Sequence, residues 1–319
     1  SQAGTPELTV TANVNAAGHY QLTVKQHCPA TPGQKDKLPM LIPLKMALLD
    51  GETAELIPLQ LIDEATASGE TRVMSITEPE QTFTFQNVPK TIVPSLLRGF
   101  SAPVKLHYDY SSADFRFLLQ HDTDGFSRFE AAFQYGVQVI QQAMTDATVD
   151  PDYIKVLTDL FQSKSIEPGL LSLMLTLPSH QYLVEQMPEV DIDGIVLGRK
   201  RVKQALAQAA QKYCLHWVNE SHLTQTYQFA TADVGIRQMR FTELSYLASL
   251  DEDTLLQDFV RLYDLSNNMT DQFNLLVAIN HSDHPARDEL LARFYQTWQD
   301  SPLVVDKWLR LQASAEREA

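Results

Sequence analysis

Hydrophobic periodicity changes once along this chain, and that change limits the possible fold more than any other feature. Over residues 1–109 apolar residues alternate with polar ones; over residues 110–319 they recur three and four positions apart. Alternation places side chains on the two faces of a strand, whereas i, i+3, i+4 spacing makes one stripe along a helix. The sequence therefore predicts two domains, a small antiparallel Ig-like β-sandwich over 1–109 and an α-helical, solenoid-like array over 110–319.

The strand signals are local and specific. Glu7–Ala12 and Tyr20–Val24 alternate cleanly, and Asn15-Ala16-Ala17-Gly18 between them supplies a turn. Met40–Leu49 reads as a longer strand ended by Asp50-Gly51, a strong hairpin signal. Further strands are expected at Leu56–Leu61, Arg72–Ile76, Thr82–Gln86 and Val104–Tyr108. Ten of the sixteen prolines fall in the first 103 residues, which suits short strands joined by turns and leaves little room for helices.

Beyond residue 110 the helix signals take over. Asp150-Pro151-Asp152 combines an N-cap residue, a Pro at the first helical position and an acid in the first turn. Tyr153, Val156, Leu157, Leu160 and Phe161 then form a single stripe. Similar stripes start at Phe241, Leu255 and Phe273, after His284-Pro285, and at Pro302. Short polar joints between them favour antiparallel neighbours.

Composition excludes several functions. Net charge is −15, from 25 basic and 40 acidic residues, which argues against a nucleic-acid partner. The one basic run, Arg199-Lys200-Arg201 with Lys203, reads as a solvated helix face. No stretch approaches the roughly 20 apolar residues of a membrane span, so no membrane partner is expected. The start, SQAGTPELTV, has no initiator Met and no secretory pattern. Cys28 and Cys214 are too few and too far apart for a disulfide framework or a zinc site, which fits free thiols in a reducing, cytoplasmic setting.

The search for chemistry is largely negative. HExxH, GxSxG, Walker and GxGxxG patterns are absent. His281-Ser282-Asp283-His284 is best read as a solvated inter-helix loop, and His216 with Glu220 as a surface ion pair from which His222 points away. Asp122 and Asp124 are carboxylates of a kind a hydrolase might use. Asp251-Glu252-Asp253 is explained by the preference of a helix N-terminus for acids. Asn219-Glu220-Ser221 and Asn268-Met269-Thr270 match the short glycosylation pattern, which alone says little. No catalytic, metal-binding or cofactor-binding residue is assigned.

Several phrases nevertheless stand together in one order: KQHCPATPGQ at 25–34, LPMLIPLKMALLDGE at 38–52, EQTFTFQNVP at 80–89, GFSAPVKL at 99–106 and DGFSRFEAAFQ at 124–134. LLSLMLTLPSHQYLVEQMP at 170–188, LSNNMTDQFNLL at 265–276 and LVVDKWLRLQA at 303–313 continue the series. Together they resemble the C-terminal part of bacterial aminopeptidase N (alanyl aminopeptidase), a zinc gluzincin. Phe129 departs from the Trp expected there, and Val190–Lys203 is only loosely similar.

The resemblance implies that the parent removes N-terminal residues from peptides. Its zinc, HExxH and GxMEN motifs would lie in a catalytic domain upstream of Ser1. It implies no cofactor in this portion, which is expected to be inactive alone, to brace that catalytic domain and to enclose the substrate chamber. The Asn267–Asp271 and Asp306–Trp308 phrases carry no assigned role, with Thr270 a possible helix cap. Both ends are expected to be cuts, leaving Trp308, Leu309 and Leu311 short of neighbours. The rival reading is a stand-alone interaction protein with no enzymatic parent; a hydrolase built on the scattered carboxylates is weaker still.

Overall fold

The computed structural model describes residues 2–219 and 227–315. The chain forms two compact units, Ser1–Tyr135 and Gly136–Ala319.

In the first unit, β1 (Glu7–Val14), β2 (Tyr20–His27), β5 (Glu80–Phe85) and β7 (Lys105–His107) form one sheet in the order β5-β2-β1-β7. β3 (Ile42–Asp50), β4 (Arg72–Ile76) and β6 (Ile92–Leu96) form the other, in the order β4-β3-β6. Alternation sets the register: Leu8 and Val10 of β1, Leu22 and Val24 of β2, and Leu44, Met46 and Leu48 of β3 are buried in one core with Phe85. The β1–β2 turn forms as the sequence predicts. The Asn15 side chain accepts from the Ala17 and His19 N–H groups, both at 3.0 Å, and Gly18 takes a φ of 80°.

Three features depart from the sequence reading. Leu56–Leu61 is not a strand; it makes only isolated bridges, Leu49 to Leu56 and Leu61 to Phe85. The missing position is taken by β6, which Pro94 had masked. Pro94 has no N–H to give a ladder, and β6 accommodates it at a sheet edge. β1 and β7 pair in parallel within an otherwise antiparallel sandwich.

Two helical segments complete this unit: α1 (Ser112–His121) and the first half of α2 (Gly125–Thr145). A capping box starts α1: Ser111 Oγ accepts from Asp114 N at 3.2 Å, and Asp114 Oδ2 accepts from Ser111 N at 2.9 Å. Ser111→Ala is expected to lower stability by about 1 kcal/mol. Urea denaturation followed by circular dichroism checks this, and an unchanged midpoint would refute it.

The elements described in the second unit are helices: the rest of α2, α3 (Pro151–Leu160), α4 (Pro168–Leu175), α5 (His180–Glu185), α6 (Ile192–Cys214) and α7 (His216–Asn219). Then follow α8 (Thr231–Ala248), α9 (Asp253–Leu265), α10 (Met269–Ile279), α11 (Ala286–Trp298) and α12 (Pro302–Ala313). α3 begins as predicted, with Asp150 accepting from Asp152 N at 2.9 Å and Pro151 in the first turn; Tyr153, Val156, Leu157 and Leu160 are buried. α12 also begins at Pro302 as predicted. The expectation that its apolar groups lack neighbours needs correction. The Trp308 ring lies 4.8 Å from that of Tyr295 on α11, and its indole N–H donates to Leu291 O at 3.0 Å. Leu311 is buried, while Leu309 remains exposed.

Candidate functional site

The carboxylates singled out in the sequence are engaged in structure. Asp122 is buried, and its Oδ1 accepts from Arg98 Nη1 at 2.8 Å and from Asp124 N at 2.9 Å. Arg98 is buried with it and also donates to Ser95 Oγ and Thr123 Oγ1. A turn with left-handed backbone at Leu97, Gly99 and Phe100 carries Arg98 to this position. Asp124 closes that turn, its Oδ1 accepting from Gly99 N and Ser127 N, each at 3.0 Å. Burial alone would raise the Asp124 pKa, but these N–H groups and the Arg98 charge hold it below the usual carboxylate range. Both acids are thus held by local partners.

Asp251, Glu252 and Asp253 precede and enter α9, yet none makes a side-chain cap bond to it. Asp251 takes a left-handed φ of 53°, and its Oδ1 accepts from Ser282 Oγ at 2.6 Å. Glu252 Oε1 accepts from Gln211 Nε2 at 3.2 Å. Glu252 at the N-cap and Asp253 in the first turn of α9 keep the helix-end placement expected from the sequence, while Asp251 is held by a tertiary contact.

His281–His284 lies in the loop between α10 and α11, where His284 Nδ1 accepts from Ala286 N at 3.1 Å. His216 Nδ1 lies 2.6 Å from Tyr213 O and 3.8 Å from Glu243 Oε2. Glu243, a buried acid of α8, is thus a neighbour the sequence reading missed; Glu220 and His222 lie outside the described residues. Burial, with a contribution from Glu243, pushes the Cys214 thiol well above its ordinary pKa, so it is a poor nucleophile. Among the described residues, no three His, Cys, Asp or Glu side chains are grouped to hold a metal ion.

Thr270 is not the cap of α10. Asn268 is, its Oδ1 accepting from Asp271 N at 2.9 Å while its Nδ2 donates to Asp271 Oδ2 at 2.7 Å. Its amide, the acceptor of the Asn268-Met269-Thr270 glycosylation pattern, is thereby occupied. Asp271 in turn pairs with Arg240 of α8, both buried. In the Asn219-Glu220-Ser221 pattern, the Asn219 side chain and the residues after it lie outside the described set.

The basic run proves to be divided by its helix. On α6, Val196, Arg199, Lys200, Lys203 and Gln204 follow i, i+3, i+4, i+7, i+8 spacing and line one cavity of about 480 Å³. Arg201 faces elsewhere, donating to Ala143 O at 2.7 Å and Asp146 O at 3.2 Å beside the α2 C-terminus, where a cation is favourable. Leu175 and Leu177 line a second wall, Phe241 and Ser245 of α8 a third, and Val277 and Ala278 of α10 a fourth. His180, His281 and Asp251 also line it. Lys203 Nζ donates to Ser245 Oγ at 3.1 Å, and Arg199 Nε to Pro178 O at 2.9 Å. A Cβ on Gly198 would lie 2.6 Å from Ile140 O of α2, so only glycine permits that approach.

Comparison with known proteins gives consistent results. Residues 112–319 match DUF3458_C, a domain of unknown function described as ARM repeats, and residues 4–109 match DUF3458, described as an Ig-like fold. Aminopeptidase N of Haemophilus influenzae is 33% identical over 98% of this chain, and that of Escherichia coli 34% over 99%. In each case the match covers 36% of the relative, so the chain spans about a third of their length. A crystal structure of Legionella pneumophila aminopeptidase A in complex with aspartic acid is similar at a TM-score of 0.81 and 26% identity. That match covers 99% of this chain and 36% of that one.

Proposed function

Because this chain belongs to the DUF3458 family, whose Ig-like fold and ARM repeats make up the C-terminal portion of aminopeptidase N, we propose that it is the non-catalytic part of a zinc aminopeptidase. The observation that carries this reading is the collinear match of nearly the whole chain to about a third of two aminopeptidase N chains.

The sandwich domain, 1–109, braces the catalytic domain of the same parent chain, and the helical domain, 110–319, encloses the chamber in which peptides lose their N-terminal residues. The zinc belongs to that upstream domain. The described residues here do not suit it: Asp122 and Asp124 are held by Arg98 and backbone N–H groups, and His284 is occupied at a helix start. The absence of HExxH and GxMEN from this sequence supports the same division of labour. Two free, buried thiols support a reducing, cytoplasmic location.

Reading the coding DNA upstream of Ser1 tests the proposal. An in-frame HExxH, its downstream Glu and a preceding GxMEN are expected. A stop followed by a start codon at Ser1 would overturn it. In parallel, the 319-residue chain alone is expected to bind no stoichiometric zinc and to hydrolyse no alanyl p-nitroanilide.

A further inference from the structure

We propose that the cavity lined by α6, α8 and α10 binds a small organic anion, a single carboxylate or phosphate carried on an apolar body. Its charge runs against the composition of the chain. Arg199, Lys200 and Lys203 bring three cations to a chain with 40 acidic and 25 basic residues. Among the described lining residues the carboxylate is that of Asp251, which accepts from Ser282. A concave surface of one sign with low-dielectric walls concentrates the opposite charge.

The walls decide between a simple ion and an organic one. Leu175, Leu177, Val196, Phe241 and Val277 lie in the same lining as the cations. A volume of about 480 Å³ is within the range of small-molecule sites, where apolar walls bury the body and a few polar groups fix its orientation. Inorganic phosphate would leave the apolar walls unused. Lys203, steadied by Ser245 Oγ, and Arg199, steadied by Pro178 O, have directed rather than freely rotating head groups. Ordering them in advance lowers the entropic cost of binding.

This inference does not depend on the activity of the parent and would survive the failure of that reading. Isothermal titration calorimetry of the 319-residue chain with hexanoate, monohexyl phosphate, hexanamide and inorganic phosphate tests it. Hexanoate or monohexyl phosphate is expected to saturate one site, about tenfold or more tighter than hexanamide, as hydrogen bonds to a charged group predict. The tighter of the two identifies the head group. Inorganic phosphate is expected to bind more weakly than either. The Lys200→Gln/Lys203→Gln variant should weaken binding by about tenfold or more, while Lys155→Gln, on α3, should leave it within about twofold. Equal binding of hexanamide, no saturation by either anion, or unchanged affinity in a folded double variant would overturn the proposal. Should the double variant fail to fold, the comparison of anion with amide on the unmodified chain decides.

Discussion

Leu157→Asp is expected to unfold the helical unit at room temperature. Leu157 sits on the buried stripe of α3 with no exposed surface. Truncating such a leucine to alanine costs roughly 2–5 kcal/mol through lost transfer energy and the cavity left behind. Aspartate loses the same packing and adds a carboxylate buried without a partner, at several kcal/mol more or with forced protonation. Together these approach the roughly 5–15 kcal/mol that holds a typical domain together. Thermal denaturation followed by circular dichroism at 222 nm should show no cooperative transition for Leu157→Asp and a lowered one for Leu157→Ala. Lys155→Ala, two residues away but exposed, removes only the 2.8 Å bond to Asp159 and should shift stability by less than about 0.5 kcal/mol. A Leu157→Asp melt indistinguishable from that of Lys155→Ala would refute the assignment of this face to the core.

Asp122→Ala carries the second large effect, expected at about 3–5 kcal/mol, because it strands the Arg98 guanidinium in a buried site. It also removes the acceptor of Asp124 N, loosening the turn that leads into α2. Replacing both charges together, Arg98→Met with Asp122→Leu, should recover most of the loss. A buried pair costs so much to desolvate that a well-packed apolar pair often serves as well. Urea titrations of the single and double variants measure this directly. A single variant as stable as the parent, or a double variant no better than the single, would show that the pair does not hold α1 and α2 to the sandwich core.

Much of this structure was legible in the residues themselves. The β1–β2 hairpin, the Asp150-Pro151 helix start and the helix opening at Pro302 all follow from patterns a few residues long, and all are found where those patterns place them. Where a local rule pointed both ways, it failed. Leu56–Leu61 has the composition of a strand but no ladder, whereas Ile92–Leu96 forms one despite Pro94, because only the sheet edge removes the need for that N–H. Thr270 is expected from sequence to cap a helix beginning at Asp271, but α10 begins at Met269 and Asn268 caps it.

The candidate site was visible only in part. Its three cations stand in the sequence, but as an unbroken run with Arg201 they read as one solvated face. Helix geometry separates them, sending Arg201 to the α2 C-terminus and the others to a cavity. The close approach of α2 to Gly198 was not legible either: a Cβ there would meet Ile140 O, whereas one on Gly194 would meet the side chains of Asp191 and Met144.

Neighbours along the chain thus settle strand or helix, where each element starts and which face is apolar, and with them the order of the two domains. The tertiary structure alone decided which charges meet. Arg98 finds Asp122, Arg240 finds Asp271, His216 lies against Glu243, and the α6 cations meet the walls of α8 and α10. The physical reason is range. Periodicity and capping act across one or two turns of chain, but the energy of a buried charge depends on partners and solvent exclusion supplied by segments remote in sequence, and these come together only when the core packs.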